Sequence, residues 1–221
     1  GDVYKRQIIM CPGGGYRGLG MDGEGYDMAP WFCGQGITYM VLKYRMPNGH
    51  WEVPVSDAEQ AIRMVRQHAK EWNVDPYKVG LMGASAGGHL TATLATHYNS
   101  ETRPDFQILL YPVVTMMQVT RGNTRTALLG KNPTMEQIQK FSAELQVTPD
   151  TPQAFIALTS DDPSVAPYHG VNYYLALQKN KVPATLHVYP TGGHGWGFQD
   201  SFKYKQQWTQ ELEKWLCDGV V

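Results

Sequence analysis

Three features of this sequence predict an α/β fold with a mostly parallel sheet and helices on both faces. Short apolar runs alternate with segments of helical periodicity from residue 8 onward. At the centre, Lys78–Tyr98 reads as a buried strand, a glycine-flanked serine and then a helix. Polar or glycine-rich loops at 160–165 and 192–198 each follow a strand-like run, and sites in open parallel sheets lie at such strand ends.

In chain order, Ile8–Cys11 is a short strand, Glu24–Cys33 a helix and Ile37–Tyr44 a long apolar strand. Ser56–Trp72 is the clearest helix. Ser56 and Glu59 have capping-box spacing, and Ala58, Ala61, Ile62, Val65, Ala69 and Trp72 share one face. Val79, Leu81 and Met82 then form a strand, while Leu90, Leu94 and Ala95 recur at helical spacing after the serine. Strands follow at Phe106–Tyr111, Ala154–Thr159 and Ala184–Tyr189, with helices at about 170–180 and 204–216. The 113–150 segment breaks the rhythm and reads as a small insertion over the C-terminal edge of the sheet, with weak helical patches at Arg125–Leu129 and Met135–Leu145.

The chain has 221 residues, 42% of them hydrophobic, which suits one domain with a full core. Residues 8–221 are read as that domain. Gly1–Gln7 is set apart, because Asp2-Val3-Tyr4-Lys5-Arg6-Gln7 matches one reading frame of a sequencing-library transposon end and is expected to be an adapter remnant. A net charge of −1 without basic clusters argues against nucleic acid and anionic membrane surfaces. No run approaches the length of a membrane-spanning helix. The three cysteines share no metal-ligand spacing and allow one disulfide at most, so neither a metal nor another cofactor is expected.

The chemistry-bearing motifs all sit on loops after strands. Gly83-Ala84-Ser85-Ala86-Gly87 is a nucleophile elbow, whose tight turn exposes the serine oxygen and leaves no room for side chains two residues away on either side. Cys11-Pro12-Gly13-Gly14-Gly15-Tyr16 frees backbone N–H groups to stabilise a tetrahedral oxyanion. The same stretch satisfies G-x-G-x-x-G. A dinucleotide site, however, requires a helix at once and an acidic residue ending the next strand; here Gly18, Gly20, Gly23 and Gly25 prolong the loop and the strand ends Lys43-Tyr44-Arg45.

In Ser160-Asp161-Asp162-Pro163-Ser164-Val165 a carboxylate is placed to orient a histidine. Asp162 is favoured, because its D-x-x-V spacing tucks Val165 inward, with Asp161 held in reserve. Gly192-Gly193-His194-Gly195-Trp196 supplies that histidine on a flexible loop after the last strand. His89 and His97 lie on the elbow helix and read as packing or surface residues.

The order Ser85, Asp162, His194 resembles that of the alpha/beta-hydrolase superfamily, over essentially all of the chain from Ile8. CPGGGY, SDAEQAIRMVRQHAKEWNVDPYKVGLMGASAGGHL and GGHGWGF resemble the acetylxylan esterases and xylanase-associated carbohydrate esterases. Cys11-Pro12 stands where related lipases often carry His-Gly-Gly, and the first one or two strands of such families are absent ahead of Ile8.

The resemblance implies a serine esterase of short acyl, acetyl-type esters on a small molecule or an oligosaccharide such as acetylated xylan. Ser85, His194 and Asp162 would act in acyl transfer, with oxyanion donors from Ala86 and from Gly14 or Gly15. Tyr16, Trp51, Met117 and Trp196 are candidates for the substrate pocket, since aromatic faces stack on sugar rings. A general or feruloyl esterase is the alternative, followed by a serine peptidase and then a silent binding module.

Overall fold

The computed structural model describes residues 6–218. Six strands form one sheet, and every neighbouring pair is parallel. They are β1 (Gln7–Cys11), β2 (Thr38–Val41), β3 (Val79–Ala84), β4 (Phe106–Leu110), β5 (Ala154–Thr159) and β6 (Ala184–Tyr189). Their spatial order is β2-β1-β3-β4-β5-β6. The chain runs outward from β1 to β2, then crosses back to place β3 on the other side of β1. The connections on the two sides of β1 therefore diverge, opening a crevice beyond the C-terminal ends of β1 and β3.

The near-continuous apolar strands reflect burial on both sides. In β1, Ile8 and Met10 point to one layer while Ile9 and Cys11 point to the other. The Ile9 side packs under α2 (Glu52–Gln67) and α3 (Ser85–Thr96), through Ala58, Ile62, Val65, Leu90 and Leu94. α6 (Tyr168–Lys179) continues that layer with Tyr173 and Leu177 against Ile156 and Leu158. The Ile8 side is covered by α1 (Ala29–Gly34) and α7 (Lys205–Asp218), which contribute Phe32, Trp208, Leu212 and Leu216. Two short helices, α4 (Thr124–Leu129) and α5 (Met135–Lys140), punctuate the 113–150 segment at the two expected patches.

Several boundaries differ from the sequence expectation. The predicted helix at Glu24–Cys33 begins with a 3-10 turn at Tyr26–Met28 and becomes α-helical only at Ala29, so Glu24 lies in the loop before it. The helix expected from Ser56 starts at Glu52. Pro54 fits in the first turn, where a missing N–H costs nothing, and Glu52 favours the positive end of the helix dipole. Ser56 is therefore inside the helix and donates to the Val53 carbonyl rather than capping. The strand expected over Ile37–Tyr44 pairs only from Thr38 to Val41; as an edge strand it has one neighbour, and that pairing ends with β1.

Of the segment 1–7, residues 1–5 lie outside the described residues. Gln7 is the first residue of β1, fully buried, with its side-chain amide donating to the carbonyls of Asp75 and Lys78. Cys11, Cys33 and Cys217 are all free thiols, the first buried and the others exposed.

Candidate active site

Ser85 opens α3 directly after β3, with φ of +53°, a left-handed conformation unusual for a residue with a side chain. Such strain costs about 1–3 kcal/mol and persists only where the surroundings enforce it. The enforcement is visible at the flanking glycines: a Cβ on Gly83 would lie 2.2 Å from the Gly87 carbonyl oxygen, and one on Gly87 would lie 1.9 Å from that of Cys11. The loop after β1 and the start of α3 therefore touch backbone to backbone.

The Ser85 Oγ lies 2.8 Å from Nε2 of His194, and Nδ1 of His194 lies 2.6 Å from Oδ2 of Asp162. Asp162 also accepts from the N–H groups of Ser164 (2.8 Å) and Val165 (2.9 Å) through Oδ1. Its carboxylate is thus buried but fully engaged, and these bonds fix the direction in which it faces the imidazole. It is Asp162, not Asp161, that meets His194. The Asp161 carboxylate is exposed and accepts from Gly192 and Gly193, with the Gly193 N–H the leading cause of its depressed pKa. It anchors the loop that carries His194.

Ser85 and His194 face a cavity of about 440 Å³ whose walls also include Gly14, Gly15, Thr120, Arg121, Thr124, Ser164 and Val165, with Asp162 buried behind the histidine. Gly14 and Gly15 both have positive φ, and among the described residues neither N–H donates to another group. Ala86 follows the serine in the first turn of α3, where backbone N–H groups have no partner within the helix. These are the donors expected for an oxyanion. Thr120, Arg121, Gly122 and Thr124, from the 113–150 segment, supply one wall.

The four residues expected to line the substrate pocket lie elsewhere. Tyr16 is buried, its hydroxyl 2.9 Å from Nδ1 of His89. Trp196 is buried in an aromatic stack, 4.3 Å from Phe202 and 4.7 Å from Tyr111 between ring centres. Trp51 packs on Phe141 beside a second cavity shared with His97 and Tyr98, and Met117 is exposed outside the serine cavity. The expectation came from residue type, yet large aromatic side chains gain most by joining the core.

Several residues of the serine cavity, Glu24 among them, had no place among the sequence candidates. Glu24 accepts from the Gly13 N–H through Oε2 (2.7 Å) and from the Tyr111 hydroxyl through Oε1 (2.8 Å). Burial pushes its carboxyl up, opposed by the Tyr111 and Gly13 hydrogen bonds and by the nearby His194. The signal available in sequence was Gly23-Glu24-Gly25, a carboxylate inside a glycine-rich loop.

Among the described residues no group of His, Cys, Asp or Glu is arranged to hold a metal ion, and no helix is long and apolar enough to cross a membrane. The arrangement can deprotonate a serine hydroxyl and receive negative charge on backbone N–H groups.

A serine on a strained strand-to-helix turn, with its histidine and carboxylate on later strand-end loops of a parallel sheet, defines the alpha/beta hydrolases. This chain belongs to that family: the model of the alpha/beta hydrolase fold matches residues 33–198. An acetyl ester-xyloside bifunctional hydrolase from Caldicellulosiruptor lactoaceticus superposes with a TM-score of 0.91 at 37% identity, over 96% of this chain and 82% of its own. An acetylxylan esterase of Xylanibacter ruminicola is 41% identical over 96% of this chain and 45% of its own length. Endo-1,4-beta-xylanase B of Butyrivibrio fibrisolvens is 36% identical over 88% of this chain and 33% of its own length. The chain therefore spans less than half the length of either curated relative.

Proposed function

We propose that this chain is a serine esterase that removes short acyl groups, acetyl above all, from plant cell-wall carbohydrate such as acetylated xylan. The observation that carries the reading is the continuous Ser85–His194–Asp162 hydrogen-bond chain opening into a cavity with unengaged glycine N–H groups. The acetylxylan esterase and xylanase relatives support carbohydrate esters as the substrate class.

In this mechanism Ser85 Oγ attacks the ester carbonyl carbon as its proton passes to His194 Nε2. Asp162 holds the imidazole with Nδ1–H toward the carboxylate and stabilises the imidazolium. The carbonyl oxygen becomes an oxyanion, taken up by Ala86 N–H and by Gly14 or Gly15. Collapse breaks the bond to the sugar oxygen, which takes the proton from His194 and leaves as the hydroxyl. Water then attacks the acyl-enzyme by the same proton route and releases the acid and Ser85. Each well-placed oxyanion donor contributes about 3 kcal/mol to the transition state.

The cavity wall favours a small acyl group over an aromatic one. No Phe, Tyr or Trp is among its lining residues, and Val165 is its largest apolar side chain. The test is hydrolysis of p-nitrophenyl acetate beside acetylated xylo-oligosaccharide, with Ser85→Ala as the blank. We expect serine-dependent turnover of both, and a loss of several orders of magnitude in kcat for the variant with the fold retained. Turnover of the simple ester alone would leave a general esterase; full activity in Ser85→Ala would remove the mechanism.

A further inference from the structure

The serine cavity is lined by a carboxylate, Glu24, that the mechanism above leaves unused. Glu24 bridges three loops. Its Oε2 takes the Gly13 N–H of the loop after β1 at 2.7 Å, and its Oε1 takes the Tyr111 hydroxyl of the loop after β4 at 2.8 Å. The same Tyr111 oxygen accepts the Gly197 N–H of the loop carrying His194 at 3.0 Å. The Tyr111 ring also stands edge-on to the His194 ring, 4.8 Å between centres. We propose that Glu24 is a positioning residue that holds the oxyanion loop and the histidine loop in register with Ser85. The proposal rests on Ser85 being the nucleophile of an acyl transfer.

The packing around this carboxylate leaves it little freedom. A Cβ on Gly13 would lie 2.5 Å from Glu24 Oε2 and 2.9 Å from the Ser85 Cβ. A Cβ on Gly197 would lie 2.4 Å from the Gly23 carbonyl oxygen, which accepts the Phe198 N–H at 3.3 Å. Tyr111 is held at a φ of +35°, an uncommon conformation that brings its buried hydroxyl to both partners. By drawing the Gly13 N–H to itself, Glu24 sets the peptide orientation immediately before Gly14 and Gly15, whose N–H groups are the ones left unengaged beside Ser85.

The identity of the side chain matters for a chemical reason. Both of its partners donate, so both of its oxygens must accept. Glutamine has the same shape but offers one acceptor and one NH₂ donor. With its oxygen on the Gly13 N–H, it turns its NH₂ on the Tyr111 hydroxyl, which must then stop donating and accept a second N–H beside that of Gly197. Aspartate is one methylene shorter and cannot span both.

The test compares wild type, Glu24→Gln, Tyr111→Phe and the double variant. For each we measure kcat and KM on p-nitrophenyl acetate, the rate constant for labelling of Ser85 by a fluorophosphonate, and Tm. In the labelling reaction an Oγ–P bond forms as fluoride leaves and the serine proton is released, so it reads the nucleophile and oxyanion donors without an ester. We expect Glu24→Gln to lower kcat and the labelling rate by roughly ten- to a hundredfold at nearly unchanged KM. Tyr111→Phe should cost less, and the double variant no more than Glu24→Gln within about twofold, because the bridge is already cut.

Wild-type kcat and labelling in folded Glu24→Gln would overturn the proposal. So would losses that vanish when rates are divided by the fraction folded, which is all a purely structural role would produce. Should wild type label but fail to hydrolyse acetyl esters, the substrate reading falls and the labelling rates alone judge Glu24. Should wild type resist labelling, the nucleophile assignment falls and takes the proposal with it.

Discussion

Two adjacent aspartates on one loop have different partners, and the difference lies in what each carboxylate can reach. Asp162 is buried with all its bonds made, two from backbone N–H groups and one from His194. Asp161 sits in water and ties down the glycines ahead of the histidine. Asp162→Asn should therefore lower kcat by about a thousandfold or more, because an amide can leave the imidazole in the wrong tautomer. Asp161→Asn should cost less than about tenfold, the scale of weakened solvent-exposed hydrogen bonds. Steady-state kinetics on p-nitrophenyl acetate separates them, and equal losses would contradict the assignment. The thiols make a second contrast at this scale. Burial pushes Cys11 up to about 12, whereas Cys33 and Cys217 are exposed. A maleimide should modify two thiols in the native protein and the third only after unfolding, as counted by mass spectrometry.

At the scale of elements, the contact between the β1 loop and the start of α3 decides the most. Gly87 approaches Cys11 so closely that a methyl group has nowhere to go. Gly87→Ala is expected to destabilise the fold by at least about 2 kcal/mol and to displace Ser85, with a lowered Tm and lost turnover together. α5 offers a milder case: Thr134 and Gln137 form a reciprocal capping box on an exposed turn. Thr134→Ala should cost about 1 kcal/mol in urea unfolding and leave kcat unchanged, since nothing in that box faces the serine cavity. The sequence carried the elbow and the histidine loop clearly because each is a local motif. It placed the start of α2 too late because Ser56 and Glu59 match a capping box that the more N-terminal Glu52 and Pro54 supersede.

Across the whole molecule, two buried histidines couple stability to pH. His89 donates from Nε2 to the Phe141 carbonyl and accepts the Tyr16 hydroxyl at Nδ1; His169 accepts two N–H groups, from Val114 and Thr115, at Nδ1. Protonating His169 Nδ1 sets donor against two backbone donors, and protonating His89 Nδ1 makes the Tyr16 hydroxyl give up its donation and accept. Burial is the main cause that lowers both from 6.5 to about 4, with neighbouring His169 and His97 adding to it at His89 and Asp162 opposing it at His169. The unfolded chain therefore binds protons below pH 6.5 that the folded chain refuses until about 4. Their contribution is whole above 6.5, falls as the pH drops through that window and is gone below it. The loss is up to roughly 3 kcal/mol for each histidine. Thermal melts from pH 7 to 4 should show this decline, and His169→Gln, whose amide oxygen can accept the same N–H groups without titrating, should flatten it. An unchanged slope in that variant would exclude His169 as a source.

What the sequence determined by itself was the class of fold, the elbow, and the order of serine, aspartate and histidine along the chain. Those follow from periodicity and from residue types whose roles depend on immediate neighbours. Tertiary structure decided which carboxylate meets the imidazole, since Asp161 and Asp162 differ only in the direction that Ser164 and Val165 impose. It sent Tyr16 and Trp196 to the core rather than the cavity, because burial of an aromatic ring depends on what the rest of the chain leaves uncovered. It also brought Glu24 to Tyr111, which lies 87 residues away along the chain. Hydrogen bonds between distant loops leave no periodicity to read; they exist only once the sheet has set its strand ends side by side.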